Sequence, residues 1–311
     1  MPPHLDVSRG GLSQVAWECL AHLGNKVARA PFKLPLEPDP CPGLVVERGP
    51  KDEGVGSWVP EQKHTLLAKF LGGTRAARAK WSQRVLIDPF CGPGRIQVKN
   101  EPVTRDGGAV VAWRQSVRDR VPFTQVLVAD LDGERADACR QRLEALSAPV
   151  KAFVGPASET AKEMARMVPP TALVLGYVDP YNLEYLSFDI IRALGGLKRI
   201  DFVVHFSTMD LQRNVEMELD PTRARFDEAA PGWREKVDVR GLSKTALRQA
   251  FFDYWTSLVE GLGFTLSNQA PLVRGDRNEP LYRLLSFSRH PFANGIWDDV
   301  AKSENRELFD S

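Results

Sequence analysis

The sequence has few cysteines and none of the spacings by which cysteines usually stabilise small folds. Its four cysteines, Cys19, Cys41, Cys91 and Cys139, are widely scattered and form no C-x-x-C pair or cluster with histidine. Disulfide scaffolds and structural zinc sites depend on such spacings. We therefore expect no disulfide scaffold, no structural zinc site and no other bound metal. The reducing cytoplasm is the expected location of the protein.

Two other absences limit the class of protein. Lys and Arg number 41 and Asp and Glu 40, a formal net charge of +1, which argues against a polybasic nucleic-acid binder but leaves room for a local basic strip. No apolar run approaches the roughly 18 residues of a membrane-spanning helix. Residues 1–6 lack the basic and apolar regions of a secretion signal. These features favour a soluble cytoplasmic protein with no membrane association.

The amino-terminal part differs in composition from the rest of the chain. Prolines and glycines recur over residues 31–60, where they break helices and central strands. We interpret residues 1–56 as an extension, with one helix near 12–29 and then an irregular connection. A helical pattern follows over 59–81, and residues 57–311 are predicted to form the main domain.

Beyond residue 80, short apolar runs alternate with helical patterns. The apolar runs lie at 84–88, 125–130, 150–154, 172–179 and 200–206. The helical patterns lie at 108–119, 133–146, 158–167, 187–196 and 244–261. Such alternation predicts a parallel sheet with helices on both faces. Runs near 263–273 and 281–288 predict an antiparallel pair at the sheet edge, preceded by an insertion over 207–245.

This strand inventory is similar to that of the class I methyltransferases. Their fold is a Rossmann-like α/β fold with a mixed sheet, mostly parallel with an antiparallel edge pair. The comparison is one of fold and by itself implies no chemistry.

The most informative motif directly follows the first strand and reads Asp88-Pro-Phe-Cys-Gly-Pro-Gly94. Glycines at 92 and 94 allow the backbone to approach a ligand at the carboxyl edge of the sheet. Gln97 excludes the dinucleotide G-x-G-x-x-G pattern, and the chain has no P-loop. The motif resembles the S-adenosylmethionine (SAM) loop of class I methyltransferases. That resemblance implies cofactor contacts from Asp88, Phe90, Gly92 and Gly94, with the acid near the cofactor's amino group; a glycine-rich turn without a ligand is the alternative.

Two further strand ends add candidate cofactor contacts. Asp130 ends the second strand, where its carboxylate can accept from both ribose hydroxyls of an adenosine ligand, and Asp132 is expected to cap the next helix. After the third strand many methyltransferases have an acid for the adenine amino group, but this chain has Pro156. Ser158 or a backbone carbonyl is predicted to replace that acid, with the amide of Ala157 reaching a ring nitrogen.

The fourth strand ends in Asp179-Pro180-Tyr181, where we expect the chemistry. Methyl transfer from a sulfonium needs an aligned nucleophile and no metal. The Asp179 carboxylate and the Pro180 carbonyl would accept from an amine and orient it, while the Tyr181 ring would stack on an extruded base. The motif is closer to the D-P-[FY]-G of tRNA guanine-N2 dimethyltransferases than to the [DNS]-P-P-[YFW] of amino methyltransferases. A plain strand-end turn is the alternative.

Other polar residues favour structural interpretations. His64 is predicted to lie on a helix surface rather than at the entrance of the pocket, and His205 to be a satisfied core residue rather than a base. An acid-free basic run around Trp81 fits either a strip that binds phosphates or a solvated helix face. The run consists of Arg75, Arg78, Lys80 and Arg84.

Residues 59–303 as a whole resemble the three-Cys-motif partner proteins (TcmP). The resemblance is carried by the motifs above, by their order, and by three further segments. These are Lys63-His64 with Leu66 and Phe70, Ser288-Arg289-His290-Pro291, and Ile296-Trp297-Asp298-Asp299-Val300. It implies a class I methyltransferase whose gene lies beside that of a protein with a three-cysteine motif, a candidate partner. The chain departs from the family at Gly107-Gly108-Ala109, Pro156 and Asn182. An altered substrate or a binding site without turnover would account for these departures.

These observations lead to one main hypothesis and two alternatives. The main hypothesis is a SAM-dependent methyltransferase of the TcmP type that acts on an amine, with a nucleobase of RNA or DNA as the expected acceptor. The first alternative is a non-catalytic methyltransferase-like module that binds a partner protein. The second is methylation of a small metabolite, which the nearly neutral net charge would suit.

Overall fold

The computed structural model describes residues 32–49, 51–220 and 222–307, so the predicted helix near 12–29 lies outside the described residues. The strands are β1 (Arg84–Asp88), β2 (Arg95–Gln97), β3 (Thr104–Asp106), β4 (Gln125–Asp130), β5 (Val150–Val154), β6 (Leu173–Val178), β7 (Ile200–Phe206), β8 (Thr265–Leu266), β9 (Leu272–Arg274) and β10 (Pro280–Ser288). The helices are α1 (Thr65–Arg78), α2 (Gly108–Arg118), α3 (Gly133–Ala145), α4 (Ala157–Met167), α5 (Phe188–Gly195), α6 (Thr208–Asn214), α7 (Trp233–Lys236), α8 (Lys244–Glu260) and α9 (Pro291–Glu307). A π-helical turn, Val59–His64, leads into α1, and 3-10 turns occupy Leu183–Tyr185 and Met217–Leu219.

The main sheet has the strand order β5-β4-β1-β6-β7-β10-β8, and β9 also pairs with β10. Strands β5, β4, β1, β6 and β7 pair in parallel, whereas β10 runs antiparallel to β7. This order confirms the predicted class I methyltransferase fold. Because the chain leaves β1 toward β4 and later returns beside β1 as β6, the carboxyl ends of these strands border a crevice at the topological switch point.

Helices cover both faces of the sheet, as predicted. Successive residues of a strand point to opposite faces, so Ile87 belongs to one buried apolar cluster and Leu86 to the other. Helices α4, α5 and α8 pack on the first cluster and α1, α2 and α9 on the second. Among the described residues, no helix is both long and apolar enough to cross a bilayer.

The single strand predicted over 263–273 is wrong. The structure has two short strands there, β8 and β9, which both pair with β10. Between them, side chains of α9 bind the backbone: Asp298 accepts from the Gln269 amide at 2.8 Å, and Trp297 donates to the Gln269 carbonyl at 2.9 Å. These tertiary contacts replace strand pairing, and Pro271 has no N–H to offer a ladder.

A small second sheet, formed by β2 and β3, was beyond sequence reasoning because three-residue strands are too short to show a period. The amino-terminal segment, residues 37–49 and 51–56, lies beside it through bridges between Glu47 and Ile96 and between Val55 and Val98. The division of the chain at residue 56 stays a prediction.

Candidate functional site

A cavity of about 1000 Å³ opens at the carboxyl ends of β1, β4 and β6. It brings together all the residues that sequence reasoning proposed for cofactor and acceptor. These are Asp88, Phe90, Gly92, Gly94, Asp130, Ala157, Ser158, Asp179, Pro180 and Tyr181. We name two parts of the cavity after these predictions: the cofactor end lies at the glycine loop, and the acceptor end lies where β6 ends.

Glycine shapes the loop at the cofactor end. Gly92 and Gly94 have φ values of +54° and +74°, in the left-handed region that side chains disfavour. A Cβ on Gly94 would lie 3.2 Å from both Cα and Sγ of Cys139, so the loop touches α3 directly. A Cβ on Gly92 would meet only the end of the Arg135 side chain, at 3.4 Å. The two glycines are therefore required for different reasons: Gly94 allows close packing against α3, and Gly92 allows the left-handed backbone conformation of the turn.

Asp88 is a buried acid with one uncompensated oxygen. Its Oδ1 accepts from the Phe90 amide at 2.9 Å, while Oδ2 has no hydrogen-bond partner within the described part of the chain. Burial raises the pKa of Asp88 well above its usual value. A buried carboxyl oxygen without a partner, on a residue that lines a cavity, is a place where the donor group of a ligand can complete a hydrogen bond.

Asp130 is held by backbone amides of its own loop and the neighbouring loop. Its Oδ2 accepts from Gly92 N at 3.0 Å and its Oδ1 from Asp132 N at 2.9 Å. Asp132 caps α3 by accepting from the amides of Glu134 and Arg135, as predicted. Each Asp130 oxygen keeps a second lone pair for a ligand hydroxyl.

The first turn of α4 forms a third wall of the cofactor end. Pro156 occupies the N-cap position and offers no side-chain acceptor to the helix amides. The amides of a first helical turn have no partner within the helix, so those of Ala157 and Ser158 are available to an acceptor on a ligand.

The amino-terminal segment completes the cofactor end. Glu47 forms an ion pair with Arg135, whose Nε lies 3.7 Å from Asp130 Oδ2. Deeper in the structure, the fully buried Arg142 binds both carboxylate oxygens of Asp39 at 3.0 Å and donates to the Pro93 carbonyl at 2.6 Å. A single guanidinium thus links the segment to the glycine loop, a contact that the sequence did not indicate.

Side chains from separate elements meet around Asp179 at the acceptor end. Its Oδ2 accepts from Lys63 Nζ at 2.6 Å and from the Tyr177 hydroxyl at 3.0 Å, and its Oδ1 lies 2.9 Å from His205 Nδ1. Burial raises the pKa of Asp179, but the ion pair with Lys63 and the hydrogen bond from His205 outweigh it and hold that pKa well below its usual range. Asp179 is therefore an ionised, buried carboxylate whose charge Lys63 balances.

Both histidines of this end differ from their predictions. His64 is 2% exposed and lines the cavity, so the predicted helix-surface position is wrong. The π-helical turn buries Lys63 and His64 side by side, and burial together with the Lys63 charge lowers the pKa of His64 to about 3. His205 is buried as predicted, but it is not satisfied, because its Nε2 has no partner among the residues described.

Sequence reasoning missed Lys63, His205 and Tyr282 as members of the site. The Tyr282 ring of β10 packs edge-on against His205, with centroids 4.0 Å apart, and its hydroxyl also lacks a partner in the described ranges. The available signal was a polar residue inside an otherwise apolar strand, His205 in β7 and Tyr282 in β10, since such residues need a partner.

The basic run around Trp81 is divided between solvent and the interior: Arg75 and Lys80 are exposed, in line with the predicted solvated face, whereas Arg78 is buried and Arg84 half-buried. Arg78 is 4% exposed, pairs with Asp119 at 2.8 Å and donates to the Val121 carbonyl. Arg84 donates to the carbonyl of Pro122. These guanidiniums satisfy backbone groups of the fold instead of reaching solvent. The described residues contain no cluster of His, Cys, Asp or Glu that could hold a metal ion.

The chain was compared with family models, curated proteins and solved structures. No family model matches it, and no curated protein matches it. Solved structures that resemble it include the cofactor-bound protein Rv0187 from MTB, with 18% identity over 74% of this chain and 80% of that one and a TM-score of 0.41. Others are an rRNA methylase from Streptococcus thermophilus (11%; 73% and 94%; TM-score 0.36) and an O-methyltransferase from Bacillus cereus in complex with SAH (12%; 71% and 80%; TM-score 0.38). The fold assignment rests on the strand order and pairing described above.

Proposed function

We propose that this chain is a SAM-dependent methyltransferase of the TcmP type that methylates an amine, with a nucleobase of RNA or DNA as the expected acceptor. The observation that carries the proposal is the pair of acids at the cofactor end. Asp88 and Asp130 are the last residues of two adjacent parallel strands, line the same cavity as the glycine loop, and keep unused acceptor capacity. SAM would supply an electrophilic methyl group carried on a sulfonium.

The residues at the cofactor end suit the groups of that molecule. A protonated amino group beside Asp88 would give Oδ2 the donor it lacks and would favour the ionised carboxylate. The free lone pairs of Asp130 would accept from two ribose hydroxyls. The amides of Ala157 and Ser158 would face the adenine ring, and the positive φ values of Gly92 and Gly94 would bring the loop close to the methionine part.

The acceptor end supports an amine or another hydrogen-bond donor as the recipient. Asp179 Oδ1 and the Pro180 carbonyl are acceptors that would orient an N–H group. Tyr181 is 67% exposed at the cavity and Tyr185 is 52% exposed, so two rings are available for an extruded base to stack on. A nucleic acid and a three-Cys-motif protein are the proposed partners.

One observation favours methylation of a small metabolite as the second candidate function. Two exposed acids, Glu228 and Asp276, line the cavity together with the tyrosines of the acceptor end, while a third acid, Glu184, is paired with Arg225 at 2.9 Å. Unpaired acidic side chains in the lining would repel the phosphates of a polynucleotide, whereas they would tolerate a neutral or basic metabolite.

Calorimetric titration of the full chain with SAM and with its demethylated product tests the cofactor. We expect micromolar binding that falls about 100-fold or more in Asp130→Ala, because two hydrogen bonds to a charged group are each worth roughly 1.5–3 kcal/mol. Asp137→Ala, an exposed acid on α3, is the matched control and should bind normally. Absence of heat at millimolar SAM would contradict the proposal.

Incubation with methyl-labelled SAM tests the acceptor. Total RNA, total DNA and a low-molecular-weight extract, each supplied separately, should show label in one of the nucleic acids and lose it in Asp179→Ala. Label confined to the extract would favour the metabolite. If wild-type protein binds SAM and labels none of the three, the non-catalytic binding module takes the place of the enzyme.

A further inference from the structure

The acceptor end contains an imidazole nitrogen that has no hydrogen-bond partner in the described part of the chain. His205 lies in β7, is 8% exposed and lines the cavity. Its Nδ1 is 2.9 Å from Asp179 Oδ1, and its Nε2 makes no hydrogen bond of good geometry within residues 32–49, 51–220 and 222–307. Buried polar atoms are rarely left in this state except where a ligand completes them.

The contact with Asp179 determines which nitrogen carries the proton. Asp179 is ionised, because Lys63 lies 2.6 Å from its Oδ2, and an ionised carboxylate can only accept. Nδ1 must therefore be the donor. Burial lowers the pKa of His205, against the opposing effects of Asp179 and the nearby Pro180 carbonyl, so the ring is neutral and carries one proton. Nε2 is left as a bare lone pair, buried without a partner among the described residues, on a ring that lines the cavity.

We propose that His205 Nε2 is the group that takes the proton of the methyl acceptor, with Asp179 as the residue that positions its ring. The proposal rests on the proposed methyltransferase function and adds a catalytic base to it. The lone pair of the acceptor atom X forms the new X–CH₃ bond, the carbon–sulfur pair stays on sulfur, and the X–H bond breaks with its electron pair kept by X. The released proton moves to Nε2, where the resulting imidazolium is paired with Asp179.

The groups around His205 can stabilise both its neutral form and the imidazolium that forms after proton transfer. The titratable groups that face it are Asp179 at the end of β6, Lys63 in the π-helical turn and Tyr282 of β10. Lys63 balances the charge of Asp179 while His205 is neutral, and Asp179 stabilises the imidazolium after proton transfer. Because the two ion-paired charges cancel, the pocket favours a neutral amine or hydroxyl over an ammonium group that has no lone pair.

Nitrogen NMR on histidine-labelled full-length protein tests the tautomer without an acceptor or a cofactor. At pH 7 we expect His205, assigned by its loss in His205→Gln, to have a protonated Nδ1 and an unprotonated Nε2. A proton on Nε2 at that pH would overturn the inference, because such a nitrogen cannot accept another proton.

Methyl transfer to the substrate pool labelled by wild-type protein tests catalysis. His205→Gln should lose about 100-fold or more of the rate, the usual contribution of a general base, and keep its SAM affinity in calorimetry. Added imidazole should partly restore His205→Ala, which a purely structural role would not allow. His290→Gln, at an exposed histidine, is the control.

The pH profile provides a second readout. The rate should fall as the pH drops through the lowered pKa of His205, and Lys63→Met should move this acid limb to higher pH, since the Lys63 charge no longer opposes protonation. Normal SAM binding with an unchanged rate in His205→Gln would sink this inference alone. If the wild-type protein does not bind SAM, the proposed function is rejected instead.

Discussion

The two ends of the cavity are built in different ways. The cofactor end is made largely of backbone: the amides of Gly92 and Asp132 hold Asp130, and glycine geometry shapes the loop. The acceptor end is made of side chains from separate elements, with Lys63 and His205 meeting at Asp179. A local motif can therefore specify the first end, whereas the second exists only after the chain has folded.

The difference also affects what each end can tolerate. Most side-chain substitutions leave backbone amides in place. The cofactor end is therefore sensitive to substitution mainly at its glycines and at Arg142, which links the amino-terminal segment to the glycine loop. The acceptor end contains several buried titratable groups. It should therefore be sensitive to pH and to substitutions that remove one partner of an ion pair or hydrogen bond.

The largest effect is expected when the cofactor end loses its anchor. Arg142→Met leaves the Asp39 carboxylate and the carbonyls of Leu44, Val45 and Pro93 without their donor. Loss of one partner from a buried ion pair should lower the free energy of unfolding by about 3–5 kcal/mol. Urea unfolding measures this change. Arg140→Ala, on the exposed side of the same helix, should leave stability nearly unchanged, and equal effects of the two would show that Arg142 is not an anchor.

A second comparison separates the two glycines of the loop. Gly94→Ala should cost about 2–4 kcal/mol of stability, because a left-handed alanine is strained and its Cβ meets α3 at 3.2 Å. Gly92→Ala has only the conformational strain and should cost about 1–2 kcal/mol. Thermal unfolding of both variants provides the measurement. A larger loss of stability in Gly92→Ala than in Gly94→Ala would mean that the loop does not pack against α3 as closely as the structure shows.

The acceptor end should make stability depend on pH. The pKa of His64 falls from 6.5 to about 3 on folding, so below pH 6.5 the unfolded chain binds a proton that the folded chain does not. Stability should therefore decrease as the pH falls, by about 2 kcal/mol between pH 7 and pH 5 from this residue. Urea unfolding at both pH values should show a smaller loss in His64→Gln than in wild-type protein. Equal losses would place His64 in solvent.

The smallest effect on folding is expected at the rim of the acceptor end. Tyr181 is 67% exposed, so Tyr181→Ala should change stability by less than about 0.5 kcal/mol and leave SAM affinity unaltered. Methyl transfer to nucleic acid should nevertheless fall, and Tyr181→Phe should retain it, because the aromatic face is kept. A variant that transfers normally would remove Tyr181 from the acceptor site.

Sequence reasoning went furthest where a pattern is local. The alternation of strands and helices predicted the bounds of β1, β4, β5 and β7 as observed, and the helix cap at Asp132 is confirmed. It was wrong where distant contacts override local preference. Side chains of α9 interrupt the strand over 263–273, the π-helical turn buries His64, and Arg78 turns inward to backbone carbonyls.

By itself, the sequence determined the sheet, the helices on both its faces and the glycine loop, because apolar period and glycine placement act within a few residues of each other. Only the tertiary structure decided that Lys63, Asp179 and His205 form one ion-paired and hydrogen-bonded group, although the first and the last are 142 positions apart in the sequence. The physical reason is burial. A carboxylate, an ammonium group and an imidazole can remain together away from water only when the fold brings all of them to the same place.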